Sequence, residues 1–208
     1  MQFKYYDTLS TLISGTVLLF VLSWTIGWDI KDVNVVILLA IAFVFGYLIN
    51  AISAMAEPVY YWFMGGMPSD KLLTPPTPNC RGKIRKYTGF GRIRFYEYDK
   101  AIQMLRKELS DENAEPRKMF GKAMSYSNSN GNTRVPDFNA HYAFSRVMLT
   151  LVIVSSVLMM TQYYDKWWAW VIVVGVILMT GHRCKERGYY YAREVLIEYI
   201  KVKEQKNN

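Results

Sequence analysis

Four stretches of this sequence carry no charge: Thr8 to Trp28, Val33 to Ala56, Val147 to Tyr164 and Trp167 to His182, which run 21, 24, 18 and 16 residues. A helix needs roughly 20 mostly apolar residues to cross a hydrocarbon core of about 30 Å. The first two stretches reach that length, and flanking aromatic residues extend the last two. Hydrocarbon offers no water to unpaired backbone groups, so such stretches fold as spanning helices. The links inside each pair are only Asp29-Ile30-Lys31-Asp32 and Asp165-Lys166, which makes two tight hairpins. A buried soluble pair is the alternative for the second hairpin, and no soluble domain that would bury it is evident.

The expected fold is therefore all-α: an integral membrane four-helix protein with a cytoplasmic insert of short helices and a helical C-terminal tail. The expected divisions are 1–57 for the first hairpin, 58–137 for the insert, 138–182 for the second hairpin and 183–208 for the tail. The first apolar stretch is long and lacks a small-x-small cleavage site, so no cleavable signal peptide is expected.

Charge orients the spans. Residues 57–146 hold 15 Lys and Arg against 9 acids, and the chain after His182 holds 7 against 4. The two short links hold one Lys each. Basic residues collect on the cytoplasmic side of short-looped membrane proteins. The reading is an inner-membrane, multi-pass protein with both termini cytoplasmic. The same bias accounts for the net charge of +8, which in a soluble chain would point to nucleic acid. Trp24, Trp28, Tyr163, Tyr164, Trp167 and Trp168 gather at one end of the spans, and Tyr60, Tyr61, Trp62 and Tyr189 to Tyr191 near the other. Aromatic residues of this kind form belts at both interfaces.

Within the insert, Thr74-Pro-Pro-Thr-Pro78 is stiff and extended, because each proline removes a donor and restrains its neighbour. Glu97 to Leu109 reads as a helix with Ile102, Leu105 and Leu109 on one face. Glu115-Pro116 opens a second helix through Met124. Ser125 to Thr133 reads as a polar turn or mobile loop. Asp137 or Asn139 is positioned to cap a helix that enters the third span. The tail has a helical pattern, and the fourth span is expected to run straight into it.

Three groups of residues are candidates for function. On the second span, Ala42, Gly46, Asn50 and Ala54 recur every four residues, and Ser53 and Glu57 continue that face. Small residues let helices approach closely in lipid, and a polar side chain there requires a partner. The stripe is either a helix-packing surface or the lining of a polar path. Next, Glu57, His141, His182 and Cys184 lie near the cytoplasmic boundary. With Cys80 they are chemically sufficient for zinc, but their spacing matches no zinc motif, and no metal or other cofactor is expected. No phosphate loop, nucleophile elbow or metalloprotease helix occurs, so the chain is read as non-enzymatic. The third group is basic and aromatic: Arg81, Lys83, Arg85, Lys86, Arg92 and Arg94, together with Tyr189, Tyr190 and Arg193 of the tail. Such a surface suits the anionic inner leaflet or a cytosolic protein partner, and nucleic acid only indirectly.

Gly46-Tyr-x-Ile-Asn-x-Ile-Ser53, Phe138-Asn-Ala-x-Tyr-x-Phe-Ser-Arg146 and Tyr191-Ala-Arg-Glu-Val195, set in this two-hairpin layout, resemble small four-span bacterial membrane proteins. Among these are membrane components of anti-phage defence systems, such as the membrane subunit of the Kiwa system. The resemblance covers the layout of most of the chain and carries over no catalytic residue. It implies an oligomeric, non-enzymatic membrane component with a cytosolic partner. The alternative function class is an oligomeric channel or transporter with its polar path along the second span, and a membrane-embedded enzyme is the third and least favoured.

Overall fold

A computed structural model describes residues 2–29, 33–63, 65–74, 95, 97–129 and 133–207, with side chains from residue 8 to residue 205. Every element among the described residues is a helix: α1 Gln2–Ile26, α2 Val35–Met55, α3 Glu57–Phe63, α4 Pro68–Leu73, α5 Tyr98–Leu109, α6 Pro116–Ser129, α7 Val135–Tyr163 and α8 Trp167–Asn207. The all-α expectation holds. Four of them, α1, α2, α7 and α8, are long and apolar enough to cross a membrane.

The helix ends have local causes. Gly27 ends α1 at φ 74°, a left-handed conformation that glycine adopts without a Cβ penalty. The Asn34 side chain accepts a hydrogen bond from the Val36 amide and caps α2. Pro68 occupies the first turn of α4, where its missing N–H costs nothing. Asp137 lies in the first turn of α7 rather than at its cap, because the helix starts at Val135.

The chain forms two compact units, one of residues 1–60 with 140–184 and the other of 61–139 with 185–208. In the first unit, α1 and α2 pack as a hairpin whose backbones approach closely at two glycines. A Cβ at Gly46 would overlap the Thr11 carbonyl, and one at Gly15 would overlap the Ala42 carbonyl. The helix α7 joins them through a cluster of Leu18, Ile49, Val147 and Leu151. At the far end, the Gln162 amide donates to the Thr25 carbonyl at 2.8 Å. The early residues of α8 leave Trp167, Trp170, Val171, Ile172, Leu178 and Met179 exposed, an outer surface suited to lipid.

The second unit is a helical bundle with its own core. Leu72 and Leu73 of α4, Ala101, Ile102 and Leu105 of α5, and Met119 and Ala123 of α6 surround the end of α8. That last stretch contributes Tyr189, Ala192, Val195, Leu196, Tyr199 and Ile200, six of the fifteen buried residues of this core among those described. The insert and the tail thus share one core. The tail therefore buries residues on most sides of the helix, the charged Glu194 and Glu198 among them. The predicted loop from Ser125 is helical as far as Ser129, because Ser127 is buried and returns its hydroxyl to the Ala123 carbonyl at 2.9 Å. Residues 130–132 of that loop, and 75–78 of the proline stretch, lie outside the described residues.

Candidate functional site: a polar clamp at the end of the spans

Four side chains converge where α2 ends and α7 begins its apolar course. Ser53 and Glu57 are one helical turn apart on one strand of chain, and Tyr142 and Arg146 are one turn apart on α7. Residues four apart share a helix face, so two such pairs meet as two prongs on two. The Arg146 Nη1 donates to Glu57 Oε2, and its Nε donates to Ser53 Oγ at 3.2 Å. The Tyr142 hydroxyl donates to Glu57 Oε1 at 3.0 Å. Arg146 also lies 5.7 Å from the centre of the Tyr142 ring. One turn further, the Tyr60 and Thr150 hydroxyls are bonded at 2.9 Å, and Thr150 returns a bond to the Arg146 carbonyl at 3.0 Å.

Glu57 and Arg146 side chains are only 29% and 14% exposed. In so shielded a place each charge depends on the other, since removal of one leaves the second poorly solvated. The cluster therefore clamps α2 to α7 at the boundary of the apolar region. Arg146→Met or Glu57→Met alone should each lower stability by about 2 kcal/mol, from a half-buried charge left without its ion-pair partner. The double variant should lose clearly less than the two together. Thermal unfolding in detergent of the wild type, both single variants and the double variant measures that coupling; strict additivity would mean that the pair contributes nothing.

The other residues singled out in the sequence are placed as follows. Ala42, Gly46 and Ser53 are buried in α2 with Ile49, whereas Asn50 and Ala54 are exposed. A step of four residues turns about 400°, and so drifts about 40° each time. Two such steps carry the stripe off the packed side, which is why Ile49, not Asn50, continues it. His141 and His182 are exposed, and Cys184 is buried. No group of three or more His, Cys, Asp or Glu side chains among the described residues is arranged to hold a metal ion. Tyr189 belongs to the core of the second unit rather than to its surface. Tyr190 lies under the Arg193 guanidinium, 5.1 Å from it. Arg81, Lys83, Arg85, Lys86, Arg92 and Arg94 lie outside the described residues.

Sequence reasoning passed over Tyr142 and Arg146 as partners of Glu57. The available signal was the matched spacing, Ser-x-x-x-Glu before the insert and Tyr-x-x-x-Arg after it. It also passed over Thr11, Ser14 and Gly15, the small face of α1 that receives Gly46.

A second polar cluster ties the tail to the insert. Glu108 receives hydrogen bonds from Lys203 and from the Tyr126 hydroxyl, and Lys203 lies over the Tyr126 ring at 4.4 Å. Tyr126 in turn meets the buried Tyr199 edge to face at 5.7 Å. The bond from Lys203, then that from Tyr126, holds the Glu108 carboxyl below its ordinary value near 4.5. A depressed carboxylate stabilises the folded state above the unfolded value and stops doing so as pH falls through the folded value. The second unit should therefore lose stability below about pH 4.5, and Glu108→Gln should flatten that part of the curve. Circular dichroism melts at pH 3.5 and pH 6 compare the two. Between α7 and α8 lies an apolar cavity of about 380 Å³, lined by Val152, Ser155, Met159, Trp168 and Ile172 among others.

Fold and site together define a multi-pass helical membrane protein with a separate helical unit built from its insert and its tail. No family model matches the chain, and neither a curated protein nor a solved structure matches it.

Proposed function

We propose that this protein is a non-enzymatic membrane platform. It oligomerises in the bacterial inner membrane with both termini and the insert in the cytoplasm, and it docks a cytosolic protein there, as a membrane subunit of an anti-phage defence system would. The observation that carries the reading is the second unit. Four spans need only short connections, yet the insert and the tail condense into a bundle with fifteen buried core residues among those described. A unit of that kind is a surface held at the membrane, and the basic run from Arg81 to Arg94 lies in its chain. Arginine and aromatic residues supply much of the binding energy at protein interfaces.

The test is a variant with Arg85, Arg92 and Arg94 all replaced by Glu, expressed in the native host. Insertion should persist, because the remaining cations still orient the spans. Association with a soluble protein encoded beside it should be lost, and protection against phage with it. A variant that keeps both would overturn the platform reading. Ion flux through liposomes that contain only the purified protein would favour the channel reading in its place.

A further inference from the structure

The helix α2 buries one seam within the chain and leaves its neighbouring faces exposed, one of which carries an amide. Ala42, Gly46, Ile49 and Ser53 are buried within the chain and are spaced four, three and four residues apart. Phe43, Tyr47, Asn50 and Ala54 repeat that spacing one residue along, about 100° around the helix, and all four are exposed. Phe43 is 45% exposed and Tyr47 67%. Alternate steps of four and three average 3.5 residues, the repeat that keeps one helix face against a neighbouring helix. The first seam is met by α1 and α7. Among the described residues nothing covers the second.

The second seam also holds an unanswered polar group. The Asn50 side chain makes no hydrogen bond among the described residues. It lies three residues before Ser53 and seven before Glu57 of the polar clamp, about 5–10 Å further into the apolar span along the helix axis, and lipid chains there would offer neither donor nor acceptor. Hydroxyls in the spans solve this problem locally: Thr16, Thr25, Thr161 and Thr180 donate to carbonyls three or four residues earlier in their own helices. Asn50 has no such bond.

We infer that Phe43, Tyr47, Asn50 and Ala54 form the contact between two copies of this chain, with the Asn50 amides paired across a two-fold axis. An amide both donates and accepts, so the same residue of a second copy completes it. A copy inserted in the same orientation presents its Asn50 at the same depth. Ala54 admits a close approach of the helices, and a single polar residue within a seam sets its register. A two-fold contact uses the same patch on both partners, which a self-complementary seam supplies. The inference rests on the oligomerising part of the function proposed above.

Disulfide formation in native membranes tests it. In a chain with Cys80→Ser and Cys184→Ala, single cysteines are introduced as Tyr47→Cys, Asn50→Cys and Ala54→Cys, and on the other exposed side as Leu48→Cys and Ile52→Cys. Mild oxidation should give covalent dimers at positions 47, 50 and 54 several-fold above those at 48 and 52. Adding Asn50→Leu to Ala54→Cys should lower the dimer yield, and Asn50→Gln should keep it. Equal or stronger bands at 48 and 52 would mean that copies meet by another face; the seam is then wrong while oligomerisation stands. Absence of a dimer at all five positions would overturn both. An unchanged yield with Asn50→Leu would show that the amide holds nothing. Membrane accumulation and protease pattern equal to those of the parent chain qualify each variant.

Discussion

Gly46→Leu should prevent α1 and α2 from closing on one another. The Cβ alone would overlap the Thr11 carbonyl, and the next nearest group is the Thr11 methyl. Backbone cannot swing away as a flexible side chain does, so the helices must separate along their whole contact. Overpacking of an ordinary core costs about 1–3 kcal/mol, and a clash with backbone belongs at or above the top of that range. Gly15→Leu should be as damaging, since its Cβ would overlap the Ala42 carbonyl. Gly175→Leu is the control. Nothing lies within 4 Å of a Cβ there, and replacement of a mid-helix glycine by leucine improves helix propensity. Membrane accumulation and melting temperature in detergent should fall sharply for the first two variants and not for the third. Normal accumulation and melting of Gly46→Leu would contradict the close contact.

A chain that ends at Gly188 should keep its spans in the membrane and lose the fold of its insert. Truncation removes Tyr189, Ala192, Val195, Leu196, Tyr199 and Ile200 from the core. It also removes Lys203, which pairs with Glu108, and Glu204, which pairs with Lys100. Loss of one buried Leu or large aromatic side chain already costs about 2–5 kcal/mol, and small domains have only about 5–15 kcal/mol to lose. Residues 97–129 should become rapidly cleaved by trypsin in membrane vesicles that expose them, while the intact chain resists. The point variant Tyr199→Ala should move in the same direction with the whole tail present. A truncated chain that resists trypsin as the intact one does would mean that the insert folds without the tail.

Much of this fold was legible in the sequence, and the reasons differ by element. The spans were legible because charge avoidance over about 20 residues has few other causes. The helix α5 was legible because Asp99 leads it, Arg106 and Lys107 trail it, and its apolar residues repeat at helical spacing. The extension of α6 through Ser129 was not: Ser-Tyr-Ser-Asn-Ser reads as a turn by composition, and only burial of Ser127 and the contact of Tyr126 with Tyr199 make it helix. Tertiary packing overrides a weak local preference of this sort.

The candidate site was half legible. Gly46 and Glu57 stood out as residues that need close neighbours, but one sequence does not say which neighbours. Thr11 supplies the first when α1 and α2 close on one another, and Arg146 with Tyr142 the second when α7 packs against α2. The four-residue stripe spans two faces for a geometric reason, since it begins on the packed seam of α2 at Ala42 and Gly46 and ends on the exposed side at Asn50 and Ala54. The tail misled for another: Tyr189 among charges reads as a surface aromatic, whereas the bundle encloses it.

The placement of both termini and the insert on one side of the membrane is the claim on which the platform reading depends. Reporter fusions test it directly. A reporter active only in the cytoplasm, fused after Asn208, should be active, and one active only in the periplasm should be active at Lys31 and at Asp165. A periplasmic C-terminus, or a cytoplasmic link at Lys31, would contradict the account and remove the basis for a cytosolic partner.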